Sequence, residues 1–214
     1  MNNQIKAVIF DLDGVLIEAK DWHYDALNRA LNLFGLTISR YDHLITFDGL
    51  PTVTKLDMLT KENGLPKELH NFINELKQKY TMELIYTNCK PRFHHEYALS
   101  RLKADGYKIG CASNSIRDSI EVMLKKSSLD VYMDIIFSAQ DVDNPKPASD
   151  IYDQSIVKLG LKPENCLIVE DNQNGIMAAK ASGGHLLVVD DVKEVNIKNI
   201  YNKIHEINNR EENK

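Results

Sequence analysis

In AVIFDLDGVL, residues 7 to 16, Asp11 and Asp13 stand one residue apart directly after an apolar run and just before Gly14. By itself Asp-Leu-Asp-Gly reads equally well as a turn, because Asp and Gly suit turns for backbone reasons. Three more segments end in the same way. YKIGCA is followed by Ser113 and Asn114, IIFS by the loop NPKP around Lys146, and CLIV by Glu170 and Asp171. Clustered carboxylates repel one another near neutral pH unless a cation joins them, and oxygen-only ligands with room for water favour Mg²⁺. Asp11, Asp171 and the main-chain carbonyl of Asp13 are candidate ligands. The Lys146 amine and the Ser113 hydroxyl would then neutralise and orient a bound phosphate, since phosphoryl transfer chiefly needs positioning and charge stabilisation. Pro145 and Pro147 restrict the backbone on either side of Lys146.

These residues meet only if the elements before them are parallel strands of one sheet. Ile5–Phe10, Tyr107–Ala112, Ile135–Phe137, Cys166–Val169 and His185–Val189 are short, apolar and rich in branched side chains, as buried strands are. Helical spacing separates them: Ile116, Ile120, Met123 and Leu124 form one stripe, and Ile151, Tyr152, Ser155, Ile156 and Leu159 another. Ser115 and Asp118 are expected to cap the first of these helices. Alternating strands and helices imply an α/β, doubly wound parallel sheet, in which ligands bind outside the carboxyl ends of the strands. Gly183-Gly184 reads as the helix end that turns the chain back into the last strand.

The segment 18–90 has helical periodicity without convincing strands. Trp22, Ala26, Leu27, Ala30, Leu31 and Phe34 form one stripe, and Leu69, Phe72, Ile73, Leu76 and Tyr80 a second. A helical insertion at 18–90 is therefore expected between the two parts of the sheet domain, 1–17 and 91–214. The polar end, Asn208 to Lys214, is expected to fray.

Composition excludes several classes. The 214 residues are 43% hydrophobic and 27% charged, with a formal net charge of -5, the balance of a globular protein without the positive field of a nucleic-acid binder. No apolar run approaches the ~20 residues of a membrane span, and acidic residues follow the N-terminus too soon for a signal peptide. The three cysteines, Cys89, Cys111 and Cys166, have no C-x-x-C spacing and suit a reducing compartment, so a cytoplasmic protein is expected. His43, His70, His94, His95, His185 and His205 show no zinc-ligand spacing. Neither a P-loop nor a dinucleotide fingerprint is present.

FDLDGVL, CASNS, NPKPASDIY and VEDNQNGIMAAKASGG stand in the order and spacing of the haloacid dehalogenase-like superfamily, which the chain resembles from about Lys6 to Val189. The resemblance implies a Rossmann-like core with a helical cap inserted after the first strand. It implies Asp11 as the nucleophile that becomes an aspartyl-phosphate. It also implies Asp13 as general acid and base, Ser113, Asn114 and Lys146 on the phosphate, and Asp11, Asp13, Glu170 and Asp171 at Mg²⁺. Because the dehalogenases of the family lack the second aspartate, Asp13 points away from dehalogenation.

In the cap, EAKDWHYDAL resembles the β-phosphoglucomutase-like branch, where a histidine at the place of His23 helps gate the general acid. TFDGLPTVTK, residues 46 to 55, lies where such caps carry a specificity loop, with Gly49 and Pro51 suited to a constrained turn; it reads equally as a plain connection between helices. That branch holds a second phosphate with an arginine where this chain has Pro51-Thr52, although Lys55 or Lys77 offers a substitute charge. The expected activity is a Mg²⁺-dependent phosphatase acting on a small phosphorylated metabolite, with a sugar phosphate as the first choice. A sugar phosphomutase and a non-catalytic phosphometabolite-binding module are the alternatives. No nucleic-acid or membrane partner is expected, and a monomer is favoured.

Overall fold

A computed structural model describes residues 4–212. Five parallel strands, β1 (Ala7–Phe10), β2 (Lys108–Ala112), β3 (Ile135–Phe137), β4 (Cys166–Glu170) and β5 (His185–Val188), form one sheet in the order β3-β2-β1-β4-β5. Each lies within or beside an apolar run read from the sequence. In β1 and β4 every residue is buried, as expected for central strands covered on both faces, whereas the edge strands β3 and β5 are only partly buried.

Nine α-helices, with short single-turn segments between them, complete the described chain: α1 (Lys20–Asn32), α2 (Arg40–Asp42), α3 (Thr52–Asn63), α4 (His70–Asn88), α5 (Phe93–Ala104), α6 (Arg117–Lys126), α7 (Asp150–Lys158), α8 (Gln173–Ala181) and α9 (Ile197–Glu212). On one side of the sheet, Ala7, Ile9, Cys166 and Ile168 pack with Ile151, Tyr152 and Ile156 of α7 and with Ala178 and Ala179 of α8. Alternate residues of β1 and β4 thus face the α7 and α8 side, the period of two that a strand imposes. After α8, Gly183 adopts φ +78° and the chain turns back into β5, as its sequence suggested.

The chain divides into two compact units, one of Met1–Glu18 with Lys90–Lys214 and the other of Ala19–Cys89. The second has its own core, built from Leu27, Ala30, Leu31, Ile38, Phe47, Leu56, Leu59, Leu65 and Ile73. Phe72 departs from its predicted stripe: it is half exposed and meets Phe34 edge to face.

Two local expectations fail. Ser115 and Asp118 do not cap α6, whose N-cap residue is Ile116 without a side-chain bond. The Ser115 hydroxyl donates instead to Oδ2 of Asp13 at 2.6 Å, and Gln140 Oε1 takes the Arg117 N–H. The polar C-terminus does not fray from Asn208, because α9 continues to Glu212, with Ile200, Ile204 and Ile207 buried. Asn208 Oδ1 accepts the Ile5 N–H at 3.0 Å, which ties this end to the strand side of the sheet. Residues 213 and 214 lie outside the described residues.

Candidate active site

The site residues foreseen in the sheet unit lie at or beyond strand ends. Asp11 follows β1, Ser113 and Asn114 follow β2, Glu170 ends β4 and Asp171 follows it. β1 lies between β2 and β4, the place where the strand order reverses, so the pairing register itself brings these ends together.

Lys146 joins them. Its Nζ donates to Asp11 Oδ1 at 2.6 Å, to Glu170 Oε1 at 2.6 Å and to the Ala112 carbonyl at 2.8 Å. An ammonium has three N–H donors, and all three are used. Lys146 is 3% exposed, Asp11 4% and Glu170 0%, so this is a buried charge cluster in which pairing is obligatory. Burial alone would lower the Lys146 pKa, but Asp11 and Glu170 outweigh it and hold the side chain as a cation. Burial likewise drives Asp11 well above the usual carboxylate range. Lys146 opposes that rise, and Glu170, Asp171 and Asp13 add to it.

One ammonium among these carboxylates leaves an excess of negative charge. One oxygen each from Asp11, Glu170 and Asp171 lies within 4.8 Å of the others, a hard-oxygen set that fits a Mg²⁺ ion. The Asp13 carboxylate, expected among the metal ligands, is not part of that group. It is held by Ser115. Among the described residues no other group of His, Cys, Asp and Glu is drawn together in this way.

Ser113 is buried, and its hydroxyl oxygen accepts the Ser115 N–H at 3.1 Å. Asn114 grips the Lys146 main chain at both ends. Its Nδ2 donates to the Lys146 carbonyl and its Oδ1 accepts the Lys146 N–H, each at 3.0 Å. This double contact fixes the loop from which the lysine reaches inward; the Lys146–Pro147 peptide bond is cis.

In the helical unit His23 lies on α1, with its Nδ1 3.2 Å from Lys77 Nζ of α4. Gly49 adopts φ +71°, a left-handed turn that an L side chain resists, between the turn His43–Phe47 and α3. Lys55, in the first turn of α3, is buried.

The sequence profile of the haloacid dehalogenase-like hydrolases matches residues 8–189. The chain belongs to that family. A phosphorylated carbohydrates phosphatase of Thermotoga maritima is 27% identical over 207 residues, 95% of this chain and 88% of its own. The pyrophosphatase PpaX of Bacillus cereus is 28% identical over 186 residues, 84% of this chain and 81% of its own. Among solved structures, a beta-phosphoglucomutase from Clostridium difficile aligns with a TM-score of 0.82 at 26% identity, covering 95% of this chain and 98% of that one. CbbY from Rhodobacter sphaeroides, in complex with phosphate, aligns with a TM-score of 0.78 at 21% identity over 86% of each chain and shares the fold.

In this haloacid dehalogenase-like hydrolase, sequence reasoning missed four contacts around the lysine and the acids. They are the Ser115 bond to Asp13, the Asn114 grip on Lys146, the Tyr152 hydroxyl donating to Glu170, and the seat of that carboxylate on Gly175. A Cβ at residue 175 would stand 1.9 Å from Glu170 Oε1, so glycine is required there for close approach. Tyr152 lay in plain view as one member of an apolar stripe; no local signal distinguished its hydroxyl.

Proposed function

We propose that this protein is a Mg²⁺-dependent phosphatase that hydrolyses a small phosphorylated metabolite, with sugar phosphates as the substrate class. The observation that carries this reading is the placement of Lys146 Nζ against Asp11 while Asp11, Glu170 and Asp171 converge at its side. Asp11 attacks phosphorus and the P–O bond to the leaving group breaks, giving an aspartyl-phosphate. Asp13, held by Ser115, gives its proton to the departing oxygen and afterwards takes one from the attacking water, whose oxygen releases phosphate and restores the Asp11 carboxylate. Lys146 and Ser113 balance and orient the phosphoryl oxygens. Asp11, Glu170, Asp171 and the Asp13 carbonyl would hold a Mg²⁺ ion, which would supply further charge neutralisation.

The substrate class is supported by the phosphorylated carbohydrates phosphatase among the relatives. Choice of leaving group is assigned to the helical unit, through residues 46 to 55 and His23. The three cysteines are buried and form no disulfide among the described residues, which suits a reducing cytoplasm, and among the described residues no helix is long and apolar enough to cross a membrane.

A sugar phosphomutase is the second reading, favoured by the likeness to beta-phosphoglucomutase. One experiment separates the two. The purified protein is given a sugar 1-phosphate with Mg²⁺, and both inorganic phosphate and the 6-phosphate are measured. Phosphate release supports the phosphatase. Accumulation of the 6-phosphate supports the mutase, and no turnover across a panel of phosphate esters overturns both.

A further inference from the structure

Tyr152 is fully buried on α7, and its hydroxyl donates to the same Glu170 oxygen, Oε1, that Lys146 Nζ reaches at 2.6 Å. The second oxygen, Oε2, accepts the Asp171 N–H at 3.2 Å. The carboxylate is walled in by the Gly175 backbone on another side. Lys146 Nζ also stands 4.8 Å from the centre of the Tyr152 ring. A single aromatic side chain therefore touches both members of the inner ion pair, the ring facing the cation and the hydroxyl facing the anion.

We propose that the Tyr152 hydroxyl is a positioning group for phosphoryl transfer, which caps Oε1 of Glu170 and so keeps Lys146 shared with Asp11. This inference rests on the phosphatase reading above. A carboxylate oxygen offers about two acceptor sites, and here the tyrosine fills one and the lysine the other. With the hydroxyl gone, Oε1 stays buried with one acceptor site empty. The ammonium then shifts toward Glu170 and away from Asp11 to recover that loss. Burial and the nearby negative charge of Glu170 and Asp11 raise the Tyr152 pKa well above 10, so the group remains a donor throughout the working range.

Tyr152→Phe removes the hydroxyl and keeps the ring over Lys146. In a wild-type protein that hydrolyses an ester, the variant should lose about tenfold in kcat with KM within about twofold, as for one hydrogen bond to a charged group felt in the transition state. Orthovanadate inhibition should weaken by the same factor while inhibition by inorganic phosphate stays unchanged. Because the hydroxyl bonds Glu170, which is also one of the proposed Mg²⁺ ligands, Mg²⁺ affinity, read by calorimetry, should fall as well, but by less than kcat measured at saturating Mg²⁺.

A Tyr152→Phe variant with wild-type kcat overturns the proposal. So does a loss of Mg²⁺ affinity as large as the loss of kcat. If that variant does not fold, Gly175→Ala decides, since its Cβ would displace the same carboxylate with the tyrosine intact. It should lower kcat with KM retained, and wild-type kcat in it overturns the proposal. Absence of ester hydrolysis by the wild-type protein is a separate result, which removes the phosphatase reading itself.

Discussion

His95 in the sheet unit and His43 in the helical unit are each about 1% exposed, and burial, the dominant influence at both, brings each ring pKa down to about 4. Their surroundings differ. His95 Nε2 lies 2.8 Å from the Val192 carbonyl, whereas among the described residues neither ring nitrogen of His43 has a hydrogen-bond partner. The neighbours of His43 include the buried Lys55, which adds to the lowering, and Asp48, which opposes it. Around Asp11 the rule is that of His95: Lys146, Glu170 and Tyr152 are buried and bonded to one another. Equal burial therefore does not imply equal dependence on polar contacts.

The largest expected effect breaks the partnered side of this comparison. Asp11→Asn should lower kcat by at least about a thousandfold, since it removes the proposed nucleophile while matching its shape. Its circular dichroism spectrum should match the wild type, and retained turnover would exclude Asp11 as nucleophile. Next comes the cation. Because carboxylates outnumber the single ammonium, Mg²⁺ should raise the melting temperature, with about 2.7 kcal/mol of stabilisation at a hundred times its Kd, and chelator should abolish both this shift and activity. A melting curve that ignores Mg²⁺ would argue against the Asp11, Glu170 and Asp171 assignment.

The histidines themselves give smaller effects of opposite sign. His95→Leu should destabilise by about 0.5–1.5 kcal/mol, as it removes a buried hydrogen bond to the Val192 carbonyl, which keeps the Val195 N–H. His43→Leu should be neutral or stabilising, by up to about 1 kcal/mol, because it removes two unsatisfied buried atoms and leaves no partner behind. Chemical denaturation of the two variants compares them directly.

Acid adds a further check on both. The unfolded chain protonates a histidine near its ordinary 6.5, but the folded protein holds His43 and His95 neutral down to about 4. Their contribution is fully present above 6.5, and stability falls as the pH drops from 6.5 toward 4. Each leucine variant should flatten part of that slope. An unchanged slope in either would mean that the histidine is protonated in the folded state.

The Asp11, Ser113, Lys146 and Asp171 constellation was readable because each residue sits next to a local signal. Apolar runs identify β1, β2 and β4, the prolines mark the Lys146 loop, and parallel strands put ligand-binding groups at one edge. Ser115 was misread because capping is only the commonest local use of such a hydroxyl. Asp13, 102 residues away in sequence, competes for it and wins with a charge-assisted bond. Asn208 was misread for the same reason. A polar end looks unattached until its partner, the Ile5 main chain, is brought beside it from the opposite end of the chain.

The amino-acid order alone set the periods of strand and helix, hence the parallel sheet and the edge at which acids and lysine collect. Those properties follow from backbone geometry and apolar spacing over a few residues. Which atoms bond within that edge was settled only in three dimensions: Tyr152 on Glu170, Asn114 on Lys146, Ser115 on Asp13 and the close seat at Gly175. Hydrogen bonds depend on tenths of an ångström between segments far apart in sequence, and no local pattern encodes such distances.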